Sequence, residues 1–192
     1  MKARQLLNKG SLKDVLGELP LVPEVYWSLR QPGKPVTAKF DLERLQQAIP
    51  GWVSQVRPAW QNAHPGKNVL VFATLRYWVE QVTAISLALA GMGHQTSLAY
   101  LPYAVWQKPL NRFDLRRQNA YAQNVLGQIA PLVKVVSFLN GKADGQELPA
   151  DLDAIIQQVA LKDTQYTLQV EQVDLHSDLY TLRLERNRQA AR

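Results

Sequence analysis

Two short apolar runs flank a helical pattern in the middle of the chain. Asn68–Thr74 is almost continuously apolar or β-branched, which is typical of a strand buried on both faces of a parallel sheet. Tyr77–Ala90 follows with an apolar stripe at helical spacing, formed by Trp78, Val82, Ile85 and Leu89. Gly91 and Gly93 favour helix termination, and Thr96–Leu101 then resumes a strand. This order predicts a βαβ unit.

The alternation of helical and strand patterns continues, less regularly, toward the end of the sequence. The pattern predicts helices over Leu115–Ile129 (capped by Asp114), Leu152–Val159 and Leu179–Ala191, and strands over Leu132–Leu139 and at Tyr166, Leu168 and Val170. We therefore predict an α/β fold: a three-layer, Rossmann-like domain over residues 65–192 with a mainly parallel sheet.

The first third of the chain has a different pattern, in which proline interrupts short amphipathic stretches. Seven of the eleven prolines precede residue 66, and proline neither continues a helix interior nor donates to a sheet. Short helices are predicted over Leu12–Leu19, Val25–Leu29 and Leu42–Ile49, the last capped by Asp41, and another after the break at Pro50–Gly51. We interpret residues 1–64 as a proline-rich helical arm.

Composition and charge narrow the class of protein. The sequence shows no cysteine, no apolar core of a signal peptide and no run of about 18 apolar residues, so we expect a cytoplasmic protein without a membrane span. The 22 basic and 16 acidic residues give a net charge of +6, which favours anionic partners in general. The basic residues are spread over the start, middle and end of the chain, so we do not predict nucleic-acid binding.

The common motifs of cofactor and metal sites are missing from the sequence. No G-x-G-x-x-G follows a strand, Gly141–Lys142 lacks the rest of a P-loop, and no serine lies in a nucleophile elbow. His64, His94 and His176 stand apart from one another. We therefore predict no cofactor and no metal site, and the sequence leaves open whether the protein is an enzyme.

The βαβ unit resembles a known family. Asn68–Arg76, and then Leu87–Ala99 with its Gly93–His94 turn, are similar to the first βαβ unit of GT-B glycosyltransferases and of capsule and surface-polysaccharide biosynthesis proteins. The resemblance implies the N-terminal, acceptor-side domain of a glycosyltransferase-like protein. The resemblance also implies that the partner of this domain is a C-terminal α/β half of the same protein. Without that half, the domain is expected to be inactive. The charged last helix also leads us to expect a longer chain.

The first candidate site follows the first predicted strand. Ligands of open α/β sheets bind outside the carboxyl ends of the strands, where this sequence places Thr74, Arg76, Tyr77, Trp78, Glu80 and Gln81. Arginine beside two aromatic rings suits an anionic or sugar ligand, and Glu80 is a candidate general base. Substitution of Arg76 is expected to weaken binding with little loss of stability. The alternative is that Tyr77 and Trp78 belong to the core and Arg76 to the surface.

The second candidate site is the loop after the second predicted strand. Aromatic, amide and cationic side chains alternate there, namely Tyr103, Trp106, Gln107, Lys108, Asn111 and Arg112. The set suits carbohydrate or phosphate contacts, and it suits equally the docking of the C-terminal half or of the arm. Two other functions remain open: a non-catalytic binding or interaction domain, and a nucleotide- or CoA-binding Rossmann-like domain.

Overall fold

The computed structural model describes residues 9–105, 110–140, 150–168, 174 and 176–191. The chain divides into two compact units, Met1–Lys142 and Ala143–Arg192. The helices of the first unit are Lys9–Glu18 (α1), Val22–Arg30 (α2), Glu43–Asn62 (α3), Arg76–Gly91 (α4) and Arg112–Leu126 (α5). Its strands are Asn68–Ala73 (β1), Gln95–Tyr100 (β2) and Lys134–Ser137 (β3). Among these residues, no helix combines the length and apolarity needed to cross a membrane.

The three strands form a parallel sheet in the order β1-β2-β3. Asn68 pairs with Gln95 at one end of β1, and Ala73 pairs with Tyr100 at the other. Tyr100 in turn pairs with Ser137 of β3, so all three strands end at the same edge. The mixed α/β class and the predicted βαβ unit β1-α4-β2 are confirmed.

One face of the sheet carries the core of the first unit. Leu98 and Tyr100 of the central strand β2 are completely buried, and α4 packs against β1 and β2. Helix α5 packs against β3 and supplies buried side chains such as Tyr121 and Val125. Because the central strand contributes the most buried residues, the core is centred on β2 and α5.

The other face of β1 is exposed, which corrects the prediction that this strand is buried on both faces. Leu70 and Phe72 of β1 are 68% and 47% exposed. The Phe72 ring meets the ring of Phe138, which follows β3, edge to face at a centroid distance of 5.0 Å. An apolar run indicates that a strand is buried, but it does not show whether the same domain covers one face of the sheet or both. A third layer over this face stays a prediction.

Helix α4 buries a different face from the one predicted. Trp78 and Ile85 of the predicted stripe are about half exposed. The buried side chains are those of Val79, Val82, Thr83, Ser86, Leu87 and Ala90. Small and apolar residues occur all around this helix, so helical spacing alone does not select the face that packs.

Helix α3 runs through Pro50 and Pro58, so the predicted break at Pro50–Gly51 is wrong. Pro50 and Gly51 are exposed, whereas Leu45, Ile49 and Val53 follow one buried stripe on both sides of them. Proline has no N–H to donate to the carbonyl four residues earlier in the helix. On this exposed side of the helix, that carbonyl can bond to water instead. Helix α3 therefore packs into the core of the first unit, and the boundary of the arm at residue 64 stays a prediction.

The start of α5 also differs from the prediction. Asn111, not Asp114, caps the helix, and its side-chain oxygen accepts from the backbone N–H of Asp114 at 2.9 Å. Strand β3 is shorter than the predicted Leu132–Leu139. The backbone N–H groups of Leu132 and Val133 bond to the carbonyl oxygen of Ile129 in a turn, and a 3₁₀ turn at Phe138–Asn140 follows the strand.

In the described part of the second unit, the helices Ala150–Leu168 (α6) and Asp178–Ala191 (α7) pack on each other. Asn187 donates to the hydroxyl of Thr164 at 3.0 Å, and Thr164 is completely buried. The predicted strand is wrong, since Tyr166 and Leu168 belong to α6, while Val170 lies outside the described residues. Apolar residues at three alternating positions are typical of a strand, but so short a pattern also occurs in the last turn of a helix.

Candidate functional site

The aromatic residues of the first candidate site lie on the surface at the carboxyl end of β1. Tyr77 and Trp78 occupy the first turn of α4, are 55% and 45% exposed, and have ring centroids 5.0 Å apart. Their exposure excludes the alternative that these rings belong to the core. Thr74 is half-buried before the helix, and Gln81 is exposed one turn after Trp78. The site therefore offers an accessible aromatic pair.

Arg76 joins three segments of the chain beside this pair. Its guanidinium donates to Glu80 Oε1 at 2.7 Å and, through Nε, to the carbonyl oxygen of Asp41. Its backbone N–H donates to the carbonyl oxygen of Tyr103 at 2.8 Å. The structure thus brings Arg76, Glu80 and Tyr103 together, and adds Asp41 from the segment before α3.

Glu80 faces Arg76 one turn along α4, and both side chains are less than one-third exposed. The ion pair fixes the guanidinium in place, because solvent screens the attraction between two half-buried charges less than it would at an exposed position. Glu80 therefore positions Arg76 in this structure, and its role as a general base stays a prediction.

The second candidate site is only partly described. Trp106, Gln107 and Lys108 lie outside the described residues. Arg112 pairs with Glu18 at 3.2 Å, and both side chains are 62% exposed. It lines a separate hollow of about 490 Å³ at the carboxyl end of β3, together with Glu24, Leu110, Leu115, Arg116, Asn119 and Leu139.

Residues that sequence reasoning missed lie next to Arg76. A hollow of about 330 Å³ is lined by Asp41, Glu43, Arg44, Gln47 and Arg76. The sequence predicts Asp41 as the cap of a helix that begins at Leu42, but α3 begins at Glu43 and Leu42 occupies the cap position without a side-chain bond. The Asp41 Oδ1, one residue earlier, accepts from the backbone N–H of Glu43 at 2.8 Å. The sequence pattern of Glu43, Arg44 and Gln47 is that of a solvated helix face, so no local signal indicates that they line a hollow.

Tyr121 of α5 fixes the segment that carries Asp41. Its hydroxyl accepts from the backbone N–H of Leu42 at 2.9 Å and lies 3.4 Å from Asp41 Oδ1. Burial raises the pKa of Tyr121, and the neighbouring Asp41 carboxylate adds to this rise. The hydroxyl therefore stays protonated and can donate to Asp41 while it accepts from Leu42.

A buried hydrogen-bond network supports the carboxyl edge of the sheet. The hydroxyls of Tyr100 and Ser137 both donate to Asn119 Oδ1, at 2.9 and 2.6 Å. Burial raises the pKa of Tyr100, so its hydroxyl stays a donor. These bonds tie β2 and β3 to α5 at the carboxyl edge of the sheet.

The part of the chain that the structure describes contains no group of three His, Cys, Asp or Glu side chains that could hold a metal ion. Comparison of the sequence and structure with protein-family models, curated proteins and solved structures finds no match. The function is therefore argued from the site itself.

The contacts of Arg76 give a stability prediction that differs from the one drawn from the sequence. We expect Arg76→Ala to destabilise the protein by about 2 kcal/mol, because it removes two bonds from a charged donor and leaves Glu80 unpaired. Urea unfolding measures the change. Arg57→Ala is the control, since Arg57 is an exposed arginine of α3, and we expect a change within about 0.5 kcal/mol. Equal effects of the two substitutions would contradict the prediction.

Proposed function

We propose that this chain is the acceptor-side domain of a glycosyltransferase-like protein of surface-polysaccharide or glycan biosynthesis. In this proposal it is a Rossmann-like domain that binds a sugar at the carboxyl end of β1. A C-terminal α/β half of the same protein would hold the donor, and the reaction would need both halves. The exposed Tyr77–Trp78 pair beside Arg76 and Glu80 carries the proposal.

The chemistry of this surface favours a sugar over a simple anion. The apolar face of a sugar ring packs well on an exposed aromatic ring, and its hydroxyls bond to neighbouring charged side chains. Arg76 already donates to Glu80 and to the carbonyl oxygen of Asp41. An anion would have to compete with the Glu80 carboxylate for the guanidinium, whereas a sugar hydroxyl can bond to both partners of the ion pair.

We expect Trp78→Ala to weaken sugar binding about tenfold, because stacking on an exposed ring contributes most of the apolar contact in such a site. The experiment titrates the chain with methyl glucoside, methyl galactoside and methyl mannoside and follows binding by NMR.

Trp60→Ala is the matched control for this experiment. Trp60 is 41% exposed, close to the 45% of Trp78, but it lines a hollow beside Asn68, at the opposite end of β1. The Trp60 variant should bind the sugars like the unmodified chain. Failure of all three sugars to bind, or equal losses in the two variants, would contradict the proposed function.

A further inference from the structure

A groove extends from Arg76 along the first turn of α3. The hollow of about 330 Å³ that ends at Arg76 adjoins a second one of about 520 Å³. Both are lined by Asp41, Glu43 and Gln47. The second is bounded further by Gly33, Lys34, Pro35, Gln46 and Tyr121. Both volumes lie in the range of sites for small molecules.

The walls of this α3 groove are held in place by hydrogen bonds to the rest of the first unit. Trp27 Nε1 donates to the carbonyl oxygen of Lys34 at 2.9 Å and fixes the turn at one end. Tyr121 and Arg76 fix Leu42 and Asp41 at the other end, through the bonds described above. The groove therefore exists before any ligand arrives, so binding there would require little reorganisation.

The α3 groove and its immediate neighbourhood carry balanced charges. Two carboxylates and three cations line the groove, namely Asp41 and Glu43 with Lys34, Arg44 and Arg76, and the charge of Arg76 is already balanced by its ion pair with Glu80. Gln46 and Gln47 add amides, which both donate and accept hydrogen bonds. A site for a phosphate or an acidic sugar would be expected to have an excess of cations. Balanced charges with amides suit an uncharged ligand that is rich in hydroxyls.

We propose that the α3 groove is a second sugar subsite, which takes the further residues of an uncharged oligosaccharide. The inference rests on the proposed function, because the first sugar of that chain would stack on Tyr77 and Trp78. Arg76 connects the two places: it lines the groove and directly precedes Tyr77 in α4. The N-terminal segment before β1 would thus select the length and charge of the glycan.

The experiment compares uncharged tetrasaccharides of glucose, galactose and mannose with the corresponding methyl glycosides. We expect at least one tetrasaccharide to bind about tenfold more tightly than its methyl glycoside. Gln47→Ala should remove most of this difference and leave the affinity for the methyl glycoside unchanged. Gln55→Ala is the control, because Gln55 is an exposed glutamine of α3 that lines neither hollow, and it should keep the difference.

The outcomes separate the groove from the stacking site. Equal affinities for tetrasaccharide and methyl glycoside, or equal behaviour of the Gln47 and Gln55 variants, would overturn the groove and leave the proposed function standing. A loss in Gln47→Ala without a loss in Trp78→Ala would support the groove and contradict stacking. Tighter binding of a sulfated tetrasaccharide that disappears at high salt would overturn the uncharged class. Failure of every sugar to bind would overturn both proposals.

Discussion

Asp114→Asn is expected to destabilise the first unit by about 3 kcal/mol, because it leaves a buried arginine without its counter-charge. Arg117 is 7% exposed and donates to Asp114 Oδ1 at 2.8 Å. Its guanidinium also lies over the rings of Tyr26 and Phe113, at 4.9 and 5.3 Å from their centroids. The aromatic contacts hold the group away from water, so the charge cannot be solvated when the carboxylate is removed.

Asp114 has a second cationic partner, which adds to the expected loss. Its Oδ2 accepts from Lys13 Nζ at 2.7 Å and from Asn111 Nδ2 at 2.9 Å. Lys13 lies in α1, so this carboxylate links α1 to α5.

Urea unfolding of Asp114→Asn measures the loss, with Glu18→Gln as control. The Glu18–Arg112 pair joins the same two helices but is highly exposed, and its loss should change stability by less than about 1 kcal/mol. Similar losses in the two variants would contradict the argument.

The same carboxylate makes the stability depend on pH. Burial raises the pKa of Asp114, but the hydrogen bonds from Lys13 and Asn111 and the charges of Lys13 and Arg117 outweigh it and hold the pKa below its ordinary value. A folded-state pKa below the unfolded one means that the contribution is complete above about pH 4 and is lost at lower pH. The difference in stability between the unmodified chain and Asp114→Asn should therefore shrink as the solution is made more acidic.

The βαβ unit could be predicted because each of its signals is local. An apolar run, a helical stripe and two glycines follow one another in β1, α4 and the turn before β2. The position of Tyr77 and Trp78 at the carboxyl end of β1 follows from the same reasoning, but the exposure of Trp78 does not, because the helical stripe predicts it on the face of α4 that packs. Local pattern thus locates one half of the candidate site.

Features that depend on distant contacts could not be predicted. The stripe of Leu45, Ile49 and Val53 carries α3 through Pro50, although proline is a strong local signal for a break. The buried face of α4 depends on what packs against it, and its sequence is apolar on several sides. In both cases tertiary packing overrides the local preference.

The α3 groove is absent from the sequence reasoning for the same reason. Asp41 and Arg76 are 35 positions apart, and the bond between the Arg76 guanidinium and the Asp41 carbonyl joins the segment before α3 to the start of α4. Tyr121, from still farther along the chain, adds a second contact through the backbone N–H of Leu42. A groove built from such contacts becomes visible only in the folded chain.

Gly93→Ala is expected to destabilise the protein by about 4 kcal/mol, from backbone strain and from a steric overlap. Gly93 has a φ of +90°, which L side chains rarely adopt, and a Cβ there would overlap the carbonyl oxygen of His64. The overlap cannot be relieved easily, because the carbonyl oxygen of Gly93 accepts from Gly66 N–H at 2.8 Å and His94 Nδ1 accepts from Lys67 N–H at 3.0 Å. These bonds hold the turn before β2 against the segment that leads into β1.

Gly33→Ala separates the two contributions. Gly33 has a φ of +71°, but no heavy atom beyond its two chain neighbours lies within 4 Å of where its Cβ would be. The substitution therefore adds strain without overlap and should cost about 1 to 2 kcal/mol. Urea unfolding of both variants gives the steric part as the difference between them. Equal losses of stability in the two variants would mean that the segment before β1 can move to make room for the added methyl group. The close approach between that segment and the turn before β2 would then not stabilise the start of the sheet.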